Sequence, residues 1–243
     1  PIHVMYAYDD DNVIYGVNSL YINATVSVQA TVYSTAGDVL WSGNSNNQLL
    51  ISDTATQLMT IPFDTITLPT TYFLSLVYEY NLEGGEEQKG LFPFSPSVSP
   101  PTLRNVYWLS TKKDVLDYLQ TNFYRTPCVK YADYTELEQL SPVTGIDVVC
   151  SINSTNDNNV FVSCDITNPN SVAFLLRLSL IDTNSNNSNQ SIEKEVLPFM
   201  WSDNFITLFQ GESQRVVGEG KGEKGGNFEV VWSAWNTPWQ KAD

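Results

Sequence analysis

The chain predicts an all-β protein, two β-sandwich domains joined by a packed linker with short helices, and three observations carry that prediction. Apolar and polar residues alternate at period two in run after run; the runs recur at a spacing of about ten residues with hairpin-type turns between them. The pattern breaks once, between residues 111 and 141, where short amphipathic segments replace it. Val26, Val28, Ala30 and Val32 show the alternation, as do Tyr72, Leu74, Leu76, Tyr78 and Tyr80. At 243 residues there is room for two domains of about 100 residues each. The expected boundaries are 1–110 for the first sandwich, 111–141 for the linker and 142–243 for the second sandwich.

In the first half, strands are expected at 2–8, 13–18, 25–34, 39–42, 58–62, 72–80, 90–94 and 105–109, with turns such as Ala36-Gly37-Asp38 and Glu83-Gly84-Gly85-Glu86 between them. The proline-rich run from Ser95 to Pro101 is stiff and extended and leads into the last of these strands. In the linker, Lys112 to Leu119 reads as one or two helical turns capped by Ser110 or Thr111, and Asp133 with Glu136 repeats a capping arrangement ahead of Leu137 and Leu140. Aromatic residues at Trp108, Tyr118, Phe123, Tyr124, Tyr131 and Tyr134 imply that the linker buries surface rather than flexing freely.

The second half offers strands at 146–152, 160–168, 172–182, 195–201, 205–209, 213–217 and 228–235, and seven strands suit an immunoglobulin-like sandwich. Within 172–182, Val172, Phe174, Leu176, Leu178 and Leu180 fall on one face and Ala173, Leu175, Arg177 and Ser179 on the other. Pro198 excludes a central ladder position. Ser202-Asp203-Asn204 then supplies short polar side chains where the strand bends, before Phe205 and Leu208 re-enter a core. Asp203 is expected to act structurally, accepting backbone N–H bonds, and Asn204 to complete the turn because asparagine tolerates unusual backbone angles.

Twelve basic against twenty-seven acidic residues leave a formal charge of −15, which repels nucleic acid and anionic lipid alike. No stretch approaches the roughly 18 consecutive apolar residues of a membrane span, so neither nucleic acid nor membrane is an expected partner. The opening Pro1-Ile2-His3-Val4 is not a signal peptide, and the chain reads as a processed or excised piece. Four N-x-S/T sites, at Asn23, Asn153, Asn186 and Asn189, are candidate glycosylation sites and suggest a secreted, extracellular setting, or a vacuolar or lysosomal one. Cys150 and Cys164 stand symmetrically about Asp157 in what reads as two strands around a polar hairpin. They either face each other as a disulfide or stand as two small buried hydrophobes, and Cys128 is left over.

The stretch from Asn170 to Ser213 carries a more particular pattern: Asn170-Ser171-Val172-Ala173-Phe174, Arg177-Leu178, a polar loop, then Val196-Leu197-Pro198, Ser202-Asp203-Asn204 and Gly211-Glu212-Ser213. It resembles the C-terminal immunoglobulin-like domain of glycoside hydrolase family 2 enzymes of the exo-β-D-glucosaminidase and β-mannosidase kind. Upstream, the strings Asn105-Val106-Tyr107-Trp108-Leu109-Ser110-Thr111-Lys112-Lys113-Asp114-Val115-Leu116-Asp117 and Tyr131-Ala132-Asp133-Tyr134-Thr135-Glu136-Leu137 look like the link between the two β-domains that follow the catalytic barrel in those enzymes. The resemblance implies an exo-acting enzyme on β-linked glucosamine or mannose, whose catalytic barrel is this chain's partner and is absent here. In that setting the acidic balance suits a cationic saccharide such as a chitosan oligomer, although plain solubility of a secreted acidic protein explains it as well.

Catalytic chemistry is correspondingly missing. Retaining glycosidases need two carboxylates about 5 Å apart, and the resemblance implies a glutamate inside an Asn-Glu dipeptide, which this chain does not contain. His3 is the single histidine, which removes Ser-His-Asp chemistry and histidine metal sites. Asp9-Asp10-Asp11 with Asn12 is better read as an exposed hairpin turn than as a calcium loop. The glycine-rich run 218–226 lacks the order of a phosphate-binding loop. No catalytic residue, metal or cofactor is therefore expected. What remains is aromatic: Trp201, Trp235 and Trp239 either line sandwich cores and seams or stack against sugar rings as carbohydrate contacts. The expected function is a non-catalytic portion of such a glycosidase, and the alternative is a stand-alone extracellular structural or carbohydrate-binding protein built from the same two domains.

Overall fold

The computed structural model describes residues 2–8, 12–84, 103–154, 158–183, 194–222 and 226–243. The protein is all-β and divides into two units, Pro1–Gln139 and Leu140–Asp243. The expected strand at 90–94, the proline-rich run and the Asp9-Asp10-Asp11 turn lie outside the described residues.

In the first unit, β1 (Ile2–Tyr6), β2 (Val13–Asn18), β3 (Ala24–Ser34), β4 (Val39–Leu50), β5 (Thr54–Thr60), β6 (Thr71–Leu82) and β7 (Leu103–Ser110) form two antiparallel sheets, ordered β1-β2-β5 and β4-β3-β6-β7. The alternating residues meet between them: Val4 and Ile14 from one sheet, Val26, Val28, Val32, Leu74 and Leu76 from the other, all buried in one core. Tyr6 adds an aromatic cluster, its ring 5.9 Å from Tyr107 and 6.3 Å from Phe63, which in turn lies 5.5 Å from Tyr72. Burial pushes the phenols of Tyr6, Tyr72 and Tyr107 above their ordinary value near 10. Strand β4 continues to Leu50, well beyond its expected end, because β3 offers it backbone partners along its whole length. Its far half, Asn44 to Gln48, is polar and mostly exposed, so nothing in the hydrophobic pattern announces it.

Residues 111–139 fall within this first unit. The 3₁₀ turn Thr135–Gln139 lies on β6: Glu136 accepts the Thr71 N–H at 2.9 Å, the Thr71 hydroxyl donates to the Asp133 carbonyl at 3.1 Å, and Leu137 is buried. Asp133 opens the turn by accepting from Thr135, and the Lys112 ammonium, 2.7 Å away, holds its carboxyl well below the usual carboxylate range. Lys112 to Leu119 is not the expected helix. Val115–Leu116 (β8) pairs with Cys128–Lys130 (β9), and only Tyr118–Gln120 turns as 3₁₀. The two aspartates divert the backbone: Asp114 accepts from Ala132 N–H across the hairpin, and Asp117 caps the N–H groups of Leu119 and Gln120.

The second unit holds β10 (Asp147–Ser154), β11 (Asn159–Asn168), β12 (Ala173–Asp182), β13 (Lys194–Glu195), β14 (Phe199–Trp201), β15 (Ile206–Leu208), β16 (Glu212–Lys221), β17 (Phe228–Ala234) and β18 (Thr237–Lys241). One sheet runs β10-β11-β16-β14 and the other β13-β12-β17-β18, with β15 also on β12. Val162, Ile166 and Val216 face Leu176, Leu178, Leu180, Val230 and Trp232 across a single core. The expected strand 195–201 is divided between the sheets, β13 pairing with β12 and β14 with β16, and Pro198 stands at the crossing. Strand β18 was not expected, since Pro238 lies inside it; it is an edge strand, where a missing N–H costs no ladder bond.

The alternation expected along β12 fails at one place. Leu175 adopts a left-handed φ of 51° at a bulge in the pairing with β15, so Ala173 shares the core with Leu176, Leu178 and Leu180. Phe174 is instead buried against Trp235, ring centroids 6.4 Å apart.

Candidate functional site

The three candidate tryptophans are not brought together. Trp201 lies in β14, half-buried, its ring 4.8 Å from that of Phe199. Phe199 and Trp201 stand opposite Gly220 and Gly218 of β16, and a Cβ at Gly218 would come within 2.7 Å of the Trp201 indole. The indole thus fills space that a glycine leaves open, a packing role. Trp232 belongs to the core. Trp235 and Trp239, at the end of β17 and in β18, are 60% and 52% exposed.

Trp239 belongs to a side-chain stack that sequence reasoning missed. The Arg177 guanidinium lies 5.4 Å from the Trp239 ring centroid and 5.9 Å from that of Phe205. Its Nη2 donates to both carboxylate oxygens of Glu195, at 2.9 and 3.2 Å, and the Ser179 hydroxyl donates to the same carboxylate at 2.9 Å. Phe205 is exposed rather than returned to the core, while Leu208 is fully buried as expected. The signal for this group was available only in part: Arg177 sits among apolar residues on a buried strand, where a charge needs a partner, but its partner is eighteen residues away.

At the bend, Asp203 is exposed and accepts one backbone N–H, that of Asn204, at 2.8 Å, and the Gln214 amide at 2.8 Å. The buried backbone is served by Asn204 instead, which bonds both the N–H and the carbonyl of Leu178. The unusual backbone angle belongs to Phe205, with φ 55°, and not to Asn204.

Cys150 and Cys164 are directly paired across β10 and β11 and are bonded, with an S–S distance of 2.07 Å. Cys128 is free and half-buried. Of the sequon residues, Asn153 is exposed on β10, and Asn23 is half-buried, its amide donating to Glu83 at 2.7 Å and accepting from Ser52 N–H. Asn186 and Asn189 lie outside the described residues. A cleft of about 260 Å³ beside the disulfide contains Glu229 and Asp243, but Glu229 is committed to Lys241 at 2.6 Å, and the volume is below the ~300 Å³ at which ligand pockets begin. Among the described residues no cluster of three or more His, Cys, Asp or Glu suits a metal ion.

Residues 123–237 match the family model described as the exo-β-D-glucosaminidase Ig-fold domain. Over that stretch the chain carries an immunoglobulin-like domain of the exo-β-D-glucosaminidase kind. An exo-β-D-glucosaminidase of Streptomyces avermitilis is 28% identical over 98% of this chain, and one of Arthroderma benhamiae is 38% identical over 45% of it. The crystal structure of an exo-chitosanase from Amycolatopsis orientalis covers all of the chain with a TM-score of 0.80 at 24% identity, a likeness of fold. The chain spans 24% of the length of the Streptomyces relative and 26% of the Amycolatopsis structure. The immunoglobulin-like region described here is therefore much shorter than the relatives it matches.

Proposed function

We propose that this chain is the non-catalytic part of a secreted exo-acting glycosidase that removes β-linked glucosamine, and that it supports the catalytic barrel of that enzyme. One observation carries the reading: the match to exo-β-D-glucosaminidases runs through 98% of this chain yet takes up only 24% of the relative. The absence of an Asn-Glu dipeptide from the sequence agrees with chemistry housed elsewhere. The Cys150–Cys164 bond and the exposed sequon at Asn153 favour a secreted glycoprotein. Mannose is the competing sugar, because the residues that read a substrate's amine or hydroxyl belong to the barrel.

A second reading has its own observation. The exposed indoles of Trp235 and Trp239 offer stacking surface for a saccharide, and they favour a carbohydrate-binding role for the second unit. The experiment that separates the two readings compares the 243-residue chain with the longer polypeptide that contains it, on aryl β-glucosaminide and aryl β-mannoside and in binding to glucosamine oligomers. Support for a barrel predicts turnover of the glucosaminide only by the longer polypeptide; a stand-alone binding protein predicts oligomer binding by the chain and turnover by neither.

A further inference from the structure

The hairpin arm between Val115 and Tyr131 is ordered by its own polar groups and yet has no core. Asp117 caps the turn at Leu119 and Gln120, Asn122 accepts the N–H groups of Tyr124 and Arg125, the Thr121 hydroxyl donates to Thr126, and the Asp117 N–H reaches the Pro127 carbonyl. With the backbone so fixed, the apolar side chains point outward: Leu119 is 99% exposed, Phe123 95% and Tyr124 90%, and Tyr118, Val129 and Tyr131 are exposed as well. The aromatic content that implied a buried linker is present, but among the described residues of the first unit nothing covers it. The Phe123 and Tyr124 rings lie 5.3 Å apart, and exposed apolar side chains grouped on one arm in this way mark an interaction site, since ordering them in water gains nothing.

Charge narrows the partner. Residues 111–131 hold four of the twelve basic residues and only two of the twenty-seven acidic ones, so the arm is cationic on a chain of charge −15. Among the described residues no ion pair involves Lys113, Arg125 or Lys130. A complementary surface is apolar at its centre and rimmed by carboxylates. The family match begins at Phe123, inside the arm, and the relatives are about four times as long as this chain, so a large surface of the same polypeptide is at hand to cover it.

We infer that the arm docks, through Leu119, Phe123 and Tyr124, into a carboxylate-rimmed apolar groove on the catalytic portion of the same polypeptide. The inference rests on the reading that such a portion exists. It is tested by replacing Phe123 with a photoreactive benzoylphenylalanine in the longer polypeptide, irradiating, and mapping the cross-link by mass spectrometry. The expected product joins residue 123 to peptides outside Pro1–Asp243, from the catalytic portion. A link to peptides within Pro1–Asp243, a product of doubled mass, or no link would overturn it.

The double variant Phe123→Ser with Tyr124→Ser supplies a second readout. The isolated 243-residue chain should melt at an unchanged temperature because both side chains are exposed, and the longer polypeptide should melt several degrees lower. Equal melting in both settings contradicts docking. Turnover of aryl β-glucosaminide by the unmodified polypeptide keeps the two claims apart: an active polypeptide without the cross-link refutes the docking alone, and an inactive one refutes the functional reading.

Discussion

The Asn204 side chain stands in for a strand neighbour of Leu178: its Oδ1 accepts the Leu178 N–H at 2.8 Å and its Nδ2 donates to the Leu178 carbonyl at 3.0 Å. Leu178 is buried, so removal of the amide leaves two backbone groups without partners, at about 1–3 kcal/mol for a stranded donor. We expect Asn204→Ala to destabilise the second unit by about 2–3 kcal/mol, and Asp203→Ala, which removes an exposed acceptor, by about 1 kcal/mol or less. Urea unfolding followed by tryptophan fluorescence compares them. A larger loss from Asp203→Ala would reverse the assignment of roles.

Gly218→Ala should be costly, because Gly218 is buried on β16, an interior strand between β11 and β14. The added methyl would meet Trp201 at 2.7 Å and the Phe199 ring more closely still, and forcing carbon into packed space costs about 1–3 kcal/mol. The companion change Trp201→Ala opens the space and should relieve part of that loss in the double variant. Strict additivity of the two changes would show that the indole does not lie over the glycine.

The Cys150–Cys164 bond closes a short loop, with a sequence separation of 14, for which the chain-entropy argument gives about 3 kcal/mol. A non-reduced digest should yield the two peptides linked, and reduction should lower the unfolding midpoint of the second unit. Recovery of both cysteines as alkylated free thiols from the non-reduced protein would contradict the structure.

Alkali should weaken the first unit through its buried tyrosines. Burial, with Tyr6 and Tyr134 nearby, raises the Tyr72 phenol well above its ordinary value, and Tyr6 and Tyr107 move the same way. The unfolded chain releases these protons near pH 10 and the folded chain holds them longer, so their contribution is complete below about pH 10 and declines as pH rises beyond it. Denaturation midpoints measured from pH 8 to 11 should fall across the upper half of that range, and Tyr72→Phe should flatten the fall. An identical slope in the variant would count against this origin.

Most strands were legible because one face of each is buried, as in β3, where Val26, Val28, Ala30 and Val32 point to the core. Legibility ends where backbone pairing proceeds without that signal. The polar half of β4 and the edge strand β18 are held by their neighbours' ladders, and the bulge at Leu175 depends on β15, some thirty residues away, rather than on local preference. The short polar side chains of Ser202-Asp203-Asn204 led to the expectation of a bend there, but the division of labour between Asp203 and Asn204 depends on which side chain reaches Leu178. The Arg177–Glu195–Trp239 stack was hidden for the same reason, since its members come from three strands. The arm at 115–131 misled most, because aromatic density in a sequence signals burial without saying in which molecule or segment.

The most direct test of the central claim is a rate measurement on aryl β-glucosaminide with two proteins side by side, the 243-residue chain and the longer polypeptide that contains it. Support of a separate catalytic barrel predicts turnover by the longer polypeptide and none by the chain. Turnover by the isolated chain, abolished by a single Asp or Glu substitution within it, would contradict the account.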